Sequence, residues 1–251
     1  MEFNNETIRI AVELYVKNEK EGEEKYGHIN TWNVSGVTDM NFMFYMDDDT
    51  SSFNHPLSNW NVSNVTDMSH MFYDASSFNQ SLSNWNVSNV TDMNNMFHGA
   101  PLFNQPLDDW DVSKVTNMNF MFGNAKAFNQ PLNNWNVSNV TNMERMFGFA
   151  SSFNQPLNNW NVSNVTYIWS MFNSTTIGKM LKKHNLTNKQ FFESPTNKKV
   201  YHELFVWPRK KDYVTFLVNN QYLPLNKHQE KHEYHPLFDN PDMSKYIACY
   251  L

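Results

Sequence analysis

The hydrophobic positions of the chain repeat as one phrase every 25 residues. Trp32, Trp60, Trp85, Trp110, Trp135 and Trp160 are separated by 28, 25, 25, 25 and 25 residues. Each opens the phrase Trp-(Asn/Asp)-Val-Ser-x-Val-Thr, for example Trp85-Asn86-Val87-Ser88-Asn89-Val90-Thr91. Each phrase leads into a Met-x-x-Met-Phe block, altered in the last copy. Five copies are followed by Phe-Asn-x-x-Leu, and the longer first interval reflects three extra residues at Asp47-Asp48-Asp49. Such self-similarity decides the fold before any local reading does. The predicted core is Trp60, Trp85, Trp110, Trp135 and Trp160 with Met71, Met96, Met121 and Met146 and Phe72, Phe97, Phe122 and Phe147.

Two periods alternate within a repeat. Met68, Met71, Phe72 and Ala75 lie at i, i+3, i+4 and i+7, the spacing of one helical face. Thr66, Thr91, Thr116 and Thr141 stand where N-caps belong, and Glu144 completes a capping box with Thr141. Upstream, Trp85 and Val87 alternate with Asn84, Asn86 and Ser88, the mark of a short half-buried strand. One unit offers about nine apolar side chains, too few to offset the ordering of its own backbone, so units must stack. The expected fold class is an α/β solenoid. It is a leucine-rich-repeat-like right-handed coil with one short parallel strand and one short helix per repeat. A parallel β-helix is the alternative, and the helical spacing of the Met-Phe block argues against it.

Composition narrows the function classes. Asparagine accounts for 39 of 251 residues, and the charged fraction is 18%. Seven glycines and a single cysteine, Cys249, exclude collagen-like and disulfide-stapled classes. No apolar run is long enough to span a membrane, and the N-terminus lacks the basic and apolar regions of a secretory signal. An intracellular location, cytoplasmic or within a virion, is therefore expected. Charge is divided along the chain: residues 1–29 carry net −3, residues 30–176 net −8 and residues 177–251 net +5. A basic segment docked on an acidic solenoid accounts for this division without a partner. The clusters Lys182-Lys183-His184 and Arg209-Lys210-Lys211 lack a reading motif or phosphate loop, so nucleic acid is not the expected partner.

The asparagines form columns. Asn54, Asn79, Asn104, Asn129 and Asn154 are expected to point inward as a hydrogen-bonded ladder. Asn59, Asn61, Asn84, Asn86, Asp109, Asp111, Asn134, Asn136, Asn159 and Asn161 are assigned to the exposed strand face, where they are candidate partner-binding residues. Nine Asn-Val-Ser or Asn-Val-Thr sequons occur in the repeats; glycans at coil spacing would collide, so a structural role is the reading adopted. The positions that vary between repeats follow the first Met (Asn41-Phe42, Ser69-His70, Asn94-Asn95, Asn119-Phe120, Glu144-Arg145) or the Met-Phe pair (Tyr73-Asp74, His98-Gly99, Gly123-Asn124, Gly148-Phe149). They are expected on the helical, convex side.

The domains are set at 1–29, 30–176 and 177–251. Open ends of a solenoid need covers. Ile8, Ala11, Val12 and Tyr15 at i, i+3, i+4 and i+7 predict a capping helix. Residues 177–251 read as a mainly helical cap. Thr187 to Gln190 forms a capping box before Phe191 and Phe192, and helices are expected after Asp212 and Asp242. The unusual Tyr167, Ile168 and Trp169 are expected to meet this segment. His228, His232 and His235 would converge on a helix as metal candidates, yet a solvated loop is the reading adopted, and no cofactor is implied. Asp47 to Asp49 lacks the alternating ligands of a calcium loop. No recurring nucleophile, base and acid arrangement points to an enzyme.

The phrase Trp-Asn-Val-Ser-x-Val-Thr-x-Met-x-x-Met-Phe…Phe-Asn-Gln-Pro-Leu resembles the BspA-like leucine-rich-repeat family. It is closest to the 25-residue type of mycoplasma lipoproteins and large DNA viruses of protists. The lead-in from Ala11 to Tyr15 and from Tyr26 to Trp32 is also similar, so the resemblance spans residues 7 to 173. It implies a non-enzymatic interaction or structural repeat protein of a large DNA virus or similar intracellular source, with a protein partner. The alternatives are a metal-binding, nucleic-acid-binding or enzymatic C-terminal module scaffolded by the repeats, and a surface adhesin-like protein.

Overall fold

The computed structural model describes residues 2–45 and 52–192. By contact density the chain divides into two compact units, residues 1–201 and 202–251. The triad His228, His232 and His235, Cys249, Asp47 to Asp49, the Arg209 to Lys211 cluster and the helices expected after Asp212 and Asp242 lie outside the described residues.

Two helices precede the repeats. Helix α1, Asn5–Lys17, is opened by a capping box in which Asn4 accepts from Glu6 and Thr7, and it buries Ile8, Ala11, Val12 and Tyr15. Helix α2, Glu19–Tyr26, folds back so closely that a Cβ at Gly22 would stand 2.6 Å from the Tyr15 Cα. Only a glycine permits that approach. Before α1, Glu2 makes a parallel bridge with Asn33, and Phe3 donates its N–H to Asn33 at 2.9 Å. The Phe3 and Tyr15 rings lie 5.0 and 5.6 Å from Trp32, so the first indole of the series is covered. The Tyr15 hydroxyl donates to Glu23 at 3.2 Å. Burial, with Glu23 and Glu19 nearby, pushes its pKa up to about 12.

From Trp32 to Ser174 each repeat lies in register on the next. Parallel bridges join Asp39, Asp67, Asp92, Asn117, Asn142 and Tyr167 in sequence. Strand pairing therefore falls just after the conserved Thr, not at Trp and Val as the alternation suggests. Trp and Val stand instead in tight turns, with Trp85 donating to Leu82 and Val90 to Val87. The Met-Phe block is not an α-helix either. Its backbone N–H groups alternate between two destinations. Met68, His70, Phe72 and Asp74 donate to the next repeat, to Asp92, Asn94, Met96 and His98, at 2.8–3.0 Å. Met71, Tyr73 and Ala75 donate three residues back within their own repeat. An α-helix would direct every N–H four residues back and leave none for a neighbouring repeat.

Two left-handed residues per repeat produce this ribbon. His70, Asn95, Phe120, Arg145 and Ser170 have φ between 49° and 57°, and Asp74, Gly99, Asn124, Phe149 and Ser174 between 54° and 70°. Three-residue turns keep side chains near i, i+3, i+4 and i+7 on one side, which is why the apolar spacing imitates a helix. The threonines accordingly cap nothing. Thr91 and Thr116 direct both N–H and Oγ1 at the carbonyl of the threonine one repeat earlier. Glu144 bonds Asn142 rather than forming a box with Thr141.

The interior is a set of columns. Trp60, Trp85, Trp110, Trp135 and Trp160 are at most 5% exposed, and the four core Met and four core Phe residues are fully buried. Each of these indoles donates Nε1–H to a carbonyl one repeat back, Ile29 for Trp60 and then Leu57, Leu82, Leu107 and Leu132, at 2.8–3.1 Å. Phe72, Phe97, Phe122 and Phe147 stack 5.6–5.7 Å apart. Each also lies 3.9–4.0 Å from the Phe of the following Phe-Asn pair. The last repeat is followed by α3, Thr176–Lys183, and α4, Asn188–Phe192. Thr187 and Gln190 exchange hydrogen bonds at 2.8 and 3.2 Å, a capping box. Phe192 stacks on Trp160 at 6.4 Å, and Phe191 meets Phe172 edge-on at 5.3 Å.

Candidate functional site

Asparagines form three columns outside the core, and two of them knit successive repeats together. Asn54, Asn79, Asn104 and Asn129 each accept, through Oδ1, the backbone N–H of the Asn 25 residues later at 2.9 Å, and each also accepts from the Gln after it. They lie nearer the surface than an inward-pointing ladder implies: Asn54 is exposed and Asn79 to Asn154 are half-buried. At the end of the column, the buried Oδ1 of Asn154 has no donor.

Asn61, Asn86, Asp111, Asn136 and Asn161 are exposed, and each Oδ1 accepts the N–H of the Ser two residues on, at 3.0–3.2 Å. These are self-contained turns. Asn59, Asn84, Asp109, Asn134 and Asn159 are exposed beside them. A third column was not singled out from the sequence. Asn64, Asn89, Asn139 and Asn164 donate Nδ2 to Ser carbonyls of the preceding repeat at 2.7–2.9 Å. The signal for it is the second sequon carried by four of the six phrases.

The positions that vary between repeats converge on a strip of rings along the turned ribbon. Phe42 stacks on His70 at 4.1 Å, Tyr73 on His98 at 5.1 Å, and His98 meets Phe120 edge-on at 5.4 Å. Tyr45 stands against Tyr73 at 5.2 Å, and the Arg145 guanidinium lies 5.3 Å from the Phe120 ring centre. Beyond them Phe149, Tyr167 and Trp169 are 48%, 49% and 61% exposed. Tyr167 and Trp169 line a hollow together with residues from 178–189 of the C-terminal segment, and that segment beyond residue 192 lies outside the described residues. A glycine shapes the strip: a Cβ at Gly123 would come within 2.6 Å of the His98 Nδ1.

The strip has unusual electrostatics for a surface. Burial lowers the pKa of His70 below 6.5, against the opposing pull of Asp92 and Asp67. Burial also lowers that of His98, opposed by Asp74 and reinforced by His70. Burial raises the Asp74 carboxyl, with His98 acting against it. The Nδ1 atoms of both histidines are buried without a partner. These imidazoles serve as neutral rings. Among the described residues no group of three His, Cys, Asp or Glu side chains is placed to hold a metal ion. No described helix is long and apolar enough to cross a membrane.

The family model described as "Mycoplasma protein of unknown function, DUF285" matches residues 15–130 and again residues 103–198. The chain belongs to this family. The two overlapping matches cover α2, every repeat, α3 and α4, so membership rests on the repeat itself. No curated protein and no solved structure matches the chain. This DUF285 chain is therefore a repeat protein whose family description carries no enzymatic activity.

Proposed function

We propose that this DUF285 protein is a non-enzymatic interaction module, a solenoid of the BspA-like leucine-rich-repeat kind that holds a protein partner along its ring strip. The single carrying observation is that the positions left free by the repeat are the ones that gather aromatic rings. Ring-bearing side chains at φ above 0° are strained by about 1 kcal/mol or more each, and Phe42, His70, Phe120 and Phe149 all have φ of 51–63°. Asn, Asp or Gly takes the equivalent places at Asn95, Asp74, Gly99 and Asn124, so rings there serve something other than the fold. Exposed aromatics beside an arginine are the side chains enriched where proteins meet. The Asn54 and Asn61 columns support the fold instead, because their oxygens are engaged in ladders and turns.

The test uses the full chain as bait in cells of its source. One variant carries Phe42→Ser, Phe149→Ser and Trp169→Ser; a second carries Asn84→Ala, Asn86→Ala and Asp109→Ala. The reading expects the partner captured by the native chain to be lost from the first and kept by the second. Loss from the second alone would move the interface to the asparagine face.

A further inference from the structure

The sixth repeat leaves a row of donors in an ordered register. Met143, Arg145, Phe147 and Phe149 donate to Tyr167, Trp169, Met171 and Asn173 at 2.7–3.1 Å. The groups one repeat further on are the N–H groups of Ile168, Ser170, Phe172 and Ser174. None has an acceptor among the described residues. Ser170 and Ser174 have φ of 54° and 62°, so the edge already holds the ribbon shape that every earlier repeat presents to its successor. Unpaired edges of this kind recruit further backbone.

A cavity of about 890 Å³ adjoins this edge. Its walls include Tyr167, Trp169, Leu181 and Leu186, with Lys179 and Lys182 beside them and no acidic side chain. Both lysines are exposed. The edge thus combines backbone donors two residues apart, an apolar hollow next to them and positive charge.

We propose that this edge accepts, in trans, a turn segment from a partner protein that carries the same Met-x-x-Met-Phe pattern flanked by carboxylates. A segment of the repeat type presents its alternate carbonyls in the register that each repeat offers to the one before it. Its Met and Phe fill the hollow and its carboxylates meet Lys179 and Lys182. Backbone pairing supplies affinity while pockets and charge supply choice of partner. The hollow shares Tyr167 and Trp169 with the end of the ring strip, whereas the four backbone donors and the two lysines lie outside the strip.

The probe is an eight-residue peptide with the sequence of residues 67–74, Asp-Met-Ser-His-Met-Phe-Tyr-Asp. In its own repeat this segment supplies the carbonyls of Asp67, Ser69 and Met71 to Met40, Phe42 and Phe44. It is titrated into the isotope-labelled full chain to about 1 mM, the range of a weak complex, and amide shifts and hydrogen exchange are followed. Saturable shifts with slowed exchange at Ile168, Ser170 and Ser174 are expected, with a shift at the buried Phe172. Reversing Lys179 and Lys182 to Glu should weaken binding by about tenfold, since truncating or reversing paired charges acts on affinity. A scrambled peptide of the same composition that produces equal shifts would overturn the proposal, as would no saturable shift. Protection of the Ile168, Ser170 and Ser174 amides in the free chain, with or without a concentration-dependent dimer, would also overturn it, because the edge would then already be occupied; the Phe172 amide, in a fully buried residue, does not report on this.

Discussion

Replacing Asn104 by alanine should destabilise the protein, while the same change at Asn154 should do almost nothing. Both side chains sit at the same place in the repeat. Asn104 Oδ1 accepts the Asn129 backbone N–H at 2.9 Å and the Gln130 side chain at 3.0 Å. Asn154 Oδ1 accepts from no one. Alanine at 104 strands a half-buried backbone donor and one of the Gln130 contacts, while Gln130 keeps its bond to the Asn104 carbonyl at 3.1 Å. A lost hydrogen bond contributes about 1 kcal/mol net and a stranded donor somewhat more, so the cost is about 1–2 kcal/mol. For a chain of this size that lowers Tm by about 2–8 °C. At 154 the change removes only an unsatisfied oxygen, and the expected shift is within about 1 °C. Thermal unfolding of both variants by circular dichroism compares them directly, with Asn129→Ala as a second interior case. Equal shifts at 104 and 154 would show that the ladder contributes nothing and that the column is only a consequence of repetition.

Other expectations follow from the same geometry. Trp110→Phe keeps most of the ring but removes one of the two donors to the Leu82 carbonyl, which retains the Trp85 N–H; urea unfolding should show a loss of about 0.5–1.5 kcal/mol. Gly22→Ala should separate α1 from α2, since its Cβ meets backbone rather than a flexible side chain, with a cost of about 1–3 kcal/mol read from the same assay. His70 and His98 have folded pKa values below 6.5. As pH falls below 6.5 the unfolded chain binds protons that the folded chain refuses, so stability is complete above that value and declines beneath it. Denaturant midpoints should drop between about pH 7 and pH 5, and His70→Gln with His98→Gln should flatten the decline.

Much of the architecture is legible in the sequence because repetition reports long-range contacts through local text. The buried set of Trp, Met, Phe, Val and Leu follows from the phrase alone, as does the buried face of α1. Local conformation is less legible. Met68, Met71, Phe72 and Ala75 carry helical spacing because buried side chains recur in threes and fours in a chain of tight turns as well as in a helix. The discriminating signal lies in the intervening positions. Asp74, Asn95, Gly99 and Asn124 are residue types that tolerate left-handed φ and that helices disfavour. The ring strip is legible only as variability. No propensity indicates that Phe42, His70 and Phe120 occupy strained backbone, because neighbours 25 residues away impose it.

The hydrogen bonds between successive interior repeats recur at the same few offsets in each pair, such as 25 residues for threonine, 26 for glutamine and 28 for tryptophan, so the bonding of an interior repeat is blind to its ordinal position. Evolution can therefore change the number of repeats by unequal recombination, inserting or excising 25 codons at any phase while α1 and α3 keep their places at the ends. A loss of 24 or 26 codons would shift every asparagine, threonine and tryptophan out of register at once. Such a gene should vary among relatives in whole steps of length.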